Sequence, residues 1–189
     1  TRQSITIRSC MPAGYNIDQY IPKFSIETYC PQYVTICWRN GLYETKRVGK
    51  GETVEFSNQM VNEQDNEIIV YCATNIKRLG DCSDKNPTSI DLANATRLVE
   101  FKCENSDKLV KADLSTNAYL KSVSFKNCSI LGTATGGANI LDVSRCEHIR
   151  NIDTRGTQIT QVLTNPNGST LEEILLSDKT QVISIVKQT

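Results

Sequence analysis

The second half of the chain repeats large apolar residues at a nearly fixed interval. They stand eleven residues apart up to position 131, and after a break they return at intervals of ten, twelve and eleven. The anchors are Leu98, Leu109, Leu120, Leu131, Ile149, Ile159, Leu171 and Val182. From an anchor the order is apolar, two polar, apolar, polar, apolar, as in LKSVSF from residue 120. This alternation predicts a short half-buried strand, and the interval leaves room for one strand and one corner.

Two kinds of unit alternate along these anchors, and a pair of them makes a coil of about 22 residues. VKADL at 110–114 represents one kind and KSVSF at 121–125 the other. The alternation survives the break only if GTATGGA, residues 132–138, is an insertion between two coils. The pattern therefore predicts a solenoid of about four coils, with residues 183–186 starting a fifth.

The first half of the chain consists of short alternating stretches separated by turn-forming residues. The stretches are 4–9, 23–29, 33–38, 42–48, 53–57 and 67–72. Several short strands at this spacing predict a small β-sandwich. We therefore expect an all-β chain with a sandwich over residues 1–75, a linker or cap over 76–87, and a solenoid over 88–189.

Two stretches resemble known families. LDVSRCEHIRNIDTRGTQIT, residues 141–160, resembles a family of 22-residue leucine-rich repeats of gut-bacterial surface proteins and their phages. VTICWRNGLYETKRV, residues 34–48, is similar to the turn of the PKD-like domains that precede such repeats, with Cys37 and Asn40 in place of two aspartates. The resemblance implies an Ig- or PKD-like sandwich followed by a leucine-rich-repeat β-solenoid.

Charge and composition narrow the classes of partner. The 189 residues carry 21 basic and 21 acidic side chains without a basic stripe, so we expect no nucleic-acid partner. No apolar run approaches the length of a membrane span, so we expect no membrane insertion. The chain begins at Thr1 without the apolar core of a signal peptide, which favours folding in the cytoplasm.

The eight cysteines include no C-x-x-C pair, so the spacing of a zinc ribbon or a redox dithiol is missing. Their even number permits disulfides. Because at least three of them fall at repeat positions, we favour buried free thiols.

The lone histidine stands in the sequence Cys146-Glu147-His148, with Asp142 and Asp153 on either side. These residue types could hold a metal ion or form an acid–base pair. A metal site needs further ligands, and the chain has no second histidine, so we predict no metal, no cofactor and no catalytic residue. We expect Cys146 to point inward at a corner, and the two aspartates to stack along one face with Asp113.

A solenoid offers its outward residues to a partner. Leu163 and Leu175 fall at outward positions, although the corner at Pro166 could shift the register and bury them, which we favour slightly. The Gly-rich insertion is either a flexible corner or a contact loop. The predicted contact surface comprises Lys102, Asp113, Ser124, Asp142, Asp153, Leu163, Leu175, Gly136 and Gly137.

These observations predict a non-enzymatic structural or interaction protein. We expect an accessory component of a phage virion, in the capsid decoration, fibre or tail, that displays the repeat surface to other proteins or to a host glycan. We also expect an oligomeric assembly. The alternative is a leucine-rich-repeat adhesin of the bacterial cell surface. An enzyme has no supporting constellation of residues.

Overall fold

The structure, a computed structural model, describes residues 3–9, 16, 20–38, 41–59, 66–166 and 170–184. Within these residues β-strands predominate, and two three-residue 3-10 turns lie at Ala73–Asn75 and Ser83–Lys85. The strands are β1 (Ser4–Ser9), β2 (Lys23–Thr28), β3 (Gln32–Cys37), β4 (Tyr43–Val48), β5 (Val54–Ser57), β6 (Asn66–Tyr71), β7 (Ile76–Arg78), β8 (Pro87–Asp91), β9 (Glu100–Lys102), β10 (Ser122–Ser124), β11 (Ile140–Asp142), β12 (Asn151–Asp153), β13 (Gln161–Thr164), β14 (Glu173–Leu175) and β15 (Gln181–Ser184). The predicted all-β class is confirmed. No helix in the described ranges is long and apolar enough to cross a membrane.

The first half forms two antiparallel sheets around a common core. One sheet has the order β4-β3-β6-β1-β8 and the other the order β5-β2-β7. Alternation buries every second side chain, such as Ile5 and Ile7 on β1 and Ile26 on β2. The rings of Phe24 and Trp38 lie 5.8 Å apart between their centroids. All six strands predicted in this half are present, with ends within one residue of the prediction.

Two later strands also join these sheets. β7 pairs with β2, Ile76 opposite Thr28, and β8 pairs with β1, Ile90 opposite Ile7. The chain between them hydrogen-bonds to the next coil as well, because Cys82 donates its N–H to the carbonyl of Lys102 at 2.8 Å. The segment predicted as a linker or cap thus contains a strand of the first half, and the unit predicted to start at 88 begins with another. The domain limits themselves stay predictions.

The second half is a β-solenoid with two parallel sheets. We call β9, β10, β12 and β14 the front sheet and β11, β13 and β15 the back sheet. In the front sheet, positions 100 and 122 pair at an interval of 22 residues, as do positions 151 and 173. Positions 122 and 151 pair across 29 residues. The excess of seven equals the length of residues 132–138, which confirms the predicted insertion.

One predicted strand is missing from the solenoid. Residues 110–114 lie where the repeat predicts a back-sheet strand, but they form none, and β11 pairs only with β13. The β8 segment one coil earlier takes its hydrogen bonds from β1 instead. Residues 110–114 therefore lack the neighbouring strand on which a parallel ladder would be built.

Buried polar side chains join consecutive coils at the corners. The amide of Asn117 donates to the carbonyls of Leu92 and Ala95, at 3.0 and 2.9 Å. Cys146 Sγ donates to the carbonyl of Asn117 at 3.3 Å, and Cys128 Sγ to that of Cys103 at 3.1 Å. All three donors are fully buried, so each satisfies backbone oxygens that water cannot reach.

The last coil is more open than the ones before it. On the front sheet, Ile152 is buried, whereas Ile174 on β14 is only partly buried. All four residues of β15 are exposed, with Val182 at 42%. Burial thus declines toward the final described strand.

The buried thiols are expected to resist alkylation in the folded protein. Burial, with a smaller contribution from Asp142, raises the pKa of Cys146 to about 12, and burial raises that of Cys82 to about 11. Only thiolates react, so Cys146 should react with iodoacetamide at pH 8 on the order of 10³-fold more slowly than an ordinary thiol. Cys30 and Cys72 are exposed and should react promptly.

Peptide mapping by mass spectrometry measures these rates residue by residue. The same protein in 6 M guanidinium serves as the control, where all cysteines should react alike. Native labelling of Cys146 as fast as that of Cys72 would contradict the corner geometry.

Candidate interaction surface

The sequence Cys146-Glu147-His148 does not form a single site. Cys146 is buried in the core, whereas Glu147 and His148 are exposed. The thiol is occupied by the carbonyl of Asn117. No group of three potential metal ligands occurs among the described residues. The side chains of Cys146 and His148 therefore face different surroundings, as the repeat pattern predicted for Cys146.

Four of the predicted contact residues form one column on the front sheet. Lys102 pairs in register with Ser124, Ser124 with Asp153, and Asp153 with Leu175. We call these four residues the front column. A second column, Glu100, Ser122, Asn151 and Glu173, runs beside it on the same outer face. Both columns line a shallow depression of about 200 Å³.

Neighbouring side chains fix the positions of the front column. Ser124 Oγ donates to Glu104 at 2.6 Å, and Lys102 Nζ lies 3.9 Å from the same carboxylate. Asp153 accepts two hydrogen bonds from the guanidinium of Arg155, at 3.0 and 2.7 Å. Exposed ion pairs contribute little to stability, but they orient the charged groups that they join. The column therefore presents a positive, a hydroxyl, a negative and an apolar side chain in a fixed order.

Asp142 lies on the back sheet, not beside Asp153. It stands on β11, opposite Leu163 of β13, while Asp153 belongs to the front sheet. Asp113 comes 29 residues before Asp142, one coil plus the insertion, and so takes the equivalent place one coil earlier. The expectation that all three aspartates share one face is wrong, because residues eleven apart lie on opposite sides of a 22-residue coil.

Leu163 and Leu175 keep their outward positions. Leu163 pairs with both Asp142 and Ile183, and Leu175 pairs with Asp153, so the strands on either side of Pro166 stay in register. The favoured interpretation of a register shift is wrong. Both leucines are partly buried, and they lie on different sheets.

The insertion forms turns at the edge of the solenoid. Gly136 and Gly137 are exposed, have φ of +79° and +82°, and have open space around the position of a Cβ atom. Gly137 accepts a hydrogen bond from the N–H of Ile140, which leads the chain into β11. The two glycines lie apart from the front column, in a separate part of the predicted surface.

The aspartates at strand ends have a structural role that the sequence analysis missed. Each accepts, on one carboxylate oxygen, the N–H of the residue two positions later, at 2.9 to 3.1 Å. They are Asp81, Asp91, Asp113, Asp142 and Asp153. This Asx turn starts the corner that follows the strand. The repeated D-x-S in DCS, DLS and DVS was the signal that could have shown it.

Replacing Asp113 with asparagine is expected to weaken the acid sensitivity of the fold. The hydroxyl and N–H of Ser115 hold the pKa of Asp113 below 3.8, its ordinary value. The stabilisation by the ionised carboxylate is therefore complete above that value and is lost as pH falls through the lowered pKa. Asparagine can accept the same turn hydrogen bond without titrating.

Melting temperatures measured from pH 6 to pH 2.5 provide the readout. D113N should match the wild type near pH 6 and fall less steeply below pH 4. Asp107→Asn, at an exposed corner, controls for the loss of one charge. Parallel profiles for D113N and the wild type would remove the carboxylate from the account.

Comparison with known proteins adds no relative. No family model, no curated protein and no solved structure matches the chain. The solenoid of about four coils is therefore an observation on this molecule alone, and the leucine-rich-repeat and Ig/PKD resemblances stay expectations from its sequence.

Proposed function

We propose that this protein is a non-enzymatic interaction protein whose solenoid presents the front column to another protein. The observation that carries the proposal is the register of Lys102, Ser124, Asp153 and Leu175 along four parallel strands. Neighbouring strands lie about 4.8 Å apart, so the column is a rigid array of fixed spacing. A rigid outer surface whose side chains vary freely is the usual binding device of a solenoid.

The surroundings of the reactive residues support a binding role over a catalytic one. The strand-end aspartates hold corner N–H groups, and the thiols of Cys128 and Cys146 hold backbone carbonyls inside the core. Catalytic groups instead converge on a cleft where substrate can reach them. The front depression is shallow, and its charges are spread along strands, which suits contact with a protein surface.

The setting that we propose is a phage particle, in which this chain is an accessory component of the capsid, fibre or tail. Two points support it: the resemblance of residues 141–160 to repeats of gut bacteria and their phages, and the buried thiols, which suit folding in a reducing cytoplasm. A bacterial cell-surface adhesin is the alternative.

Fractionation distinguishes these two settings. An antibody against the purified protein is applied to gradient-purified phage particles and to the surface fraction of the host bacteria. We expect the chain in the particle band, in constant ratio to the major capsid protein. Presence in the bacterial surface fraction alone would favour the adhesin, and presence in neither would overturn both.

A bulky substitution in the front column tests the proposed contact. S124R places a long side chain in the middle of the column, where Ser124 is only partly exposed. We expect at least about tenfold weaker incorporation into particles, since a clash at the centre of an interface removes well-packed contacts. S129R, at an exposed corner of the same coil, is the matched control and should incorporate normally. Equal incorporation of both variants would rule out the front column.

A further inference from the structure

A cleft opens in the first half of the chain where β3 and β6 diverge. The two strands pair only at Ile36 with Val70 and at Cys37 with Ile69. Next after β6 comes Cys72, whose φ of 65° and ψ of 35° turn the chain into the 3-10 turn Ala73–Asn75. The earlier half of β3 thus has a strand partner only on its β4 side. Between β3 and the turn lies a cavity of about 500 Å³.

The wall of this cleft is polar but carries no charged side chain. Besides Cys72, six residues line it, and each has a neutral hydrogen-bonding side chain: Gln3, Gln32, Thr35, Tyr71, Thr74 and Asn75. Tyr71 also contributes an aromatic ring. The volume lies within the range of small-molecule sites in proteins, roughly 300–1,000 Å³.

Contacts outside the cleft hold parts of its wall in place. The side chain of Asn75 exchanges hydrogen bonds with the backbone of Cys30, at 3.2 and 3.1 Å. Thr35 shares a hydrogen bond of 2.9 Å with Thr45 on β4. Ala73 donates its N–H to the carbonyl of Gln3 at 3.3 Å, which ties the turn to the chain before β1. The wall is therefore preorganised, which lowers the entropy cost of binding.

One group in the wall has an unused hydrogen-bonding capacity. The Nε2 atom of Gln32 is buried and has no hydrogen-bond partner in the structure. A buried donor without a partner costs about 1–3 kcal/mol. A ligand oxygen placed in the cleft would satisfy it.

We infer that this cleft binds a neutral saccharide. A sugar offers hydroxyl oxygens to amide donors such as Gln32, hydroxyl hydrogens to carbonyl oxygens, and an apolar C–H face to an aromatic ring such as Tyr71. An uncharged wall gives no electrostatic attraction to an ionic ligand. Tyr33, 66% exposed and next to Gln32 along β3, extends the aromatic surface beyond the rim. This site is separate from the front column and goes beyond the proposed function.

NMR titration of the ¹⁵N-labelled full chain tests the inference. The probes are maltohexaose, cellohexaose, mannohexaose and chitohexaose, each to 10 mM, with a heparin hexasaccharide as the charged comparison. We expect at least one neutral probe to cause saturable shifts that cluster at the amides of Thr35, Tyr71 and Thr74. Absence of shifts with all four, shifts elsewhere only, or tighter binding of the heparin fragment would overturn the inference.

A matched pair of variants ties binding to the orphan donor. Gln32→Met keeps the length of the side chain and removes its amide, so the affinity should fall at least tenfold. Gln161→Met makes the same change on β13 of the back sheet and should bind like the wild type. Q32M should not be less stable than the wild type, because it removes a buried donor that lacks a partner. Wild-type affinity in Q32M, or a stability loss that accounts for the weaker binding, would refute the role of Gln32.

Discussion

Replacing Phe125 with alanine is expected to lower the free energy of unfolding by about 3–5 kcal/mol. The side chain is fully buried, and its ring centroid lies 5.8 Å from that of Phe101, one coil away. Truncation removes apolar contacts and leaves a cavity between coils that are hydrogen-bonded on both sides. Urea denaturation followed by circular dichroism measures the change.

The last coil provides the comparison for this prediction. Leu176 packs against the same core but is only partly buried, so Leu176→Ala should cost about 1–2 kcal/mol. A loss below about 1 kcal/mol in F125A, or an equal loss in both variants, would mean that the stacked coils do not share one continuous core.

The second large effect is expected at the start of the insertion. Gly132 has φ +103°, and a Cβ atom there would lie 2.7 Å from the carbonyl carbon and oxygen of Gln158. Both neighbours are backbone atoms, and Gln158 is itself held by a hydrogen bond from its N–H to the carbonyl of Leu131. Gly132→Ala should therefore lower the free energy of unfolding by about 3 kcal/mol, from the left-handed strain and the clash together.

Gly136 separates these two contributions. It also has a positive φ, +79°, but no atom lies within 4 Å of its Cβ position. Gly136→Ala should cost only about 1 kcal/mol, the strain alone. The same denaturation experiment reports both values. If G132A is no less stable than G136A, the close passage of the insertion beneath residue 158 is refuted.

The sequence predicted most strands because side-chain periodicity reports burial directly. In the first half, a period of two marks which residues face a core, and the six predicted strands form. In the second half, the 22-residue period and the seven-residue insertion fix which positions pair, since a parallel ladder needs equal intervals.

Strand partners were beyond the reach of the pattern. Alternation in 88–92 shows that Ile90 faces inward, but it does not say whether the neighbouring strand comes from the first half or from the next coil. The edge of β1 takes this strand, and residues 110–114 are left without a ladder. Choice of partner depends on which backbone edge is free in space, and no local residue pattern encodes that.

The candidate surface was predicted in its residues but not in its grouping. An eleven-residue interval places successive outward residues on opposite sheets, so only those a full coil apart share a face, as Lys102 and Ser124 do. The cleft beside Gln32 had no sequence signal at all. It depends on the left-handed backbone of Cys72, a conformation that non-glycine residues seldom adopt and that the sequence does not announce.

The central claim is that the front column is the contact surface of an interaction protein. Hydrogen–deuterium exchange of the free chain and of the chain bound in purified phage particles tests it most directly. The account predicts slower exchange on binding in the peptides that cover β9, β10 and β12, with exchange at Gly136 and Gly137 unchanged. Unchanged exchange across the front sheet, with protection confined to other parts of the chain, would contradict it.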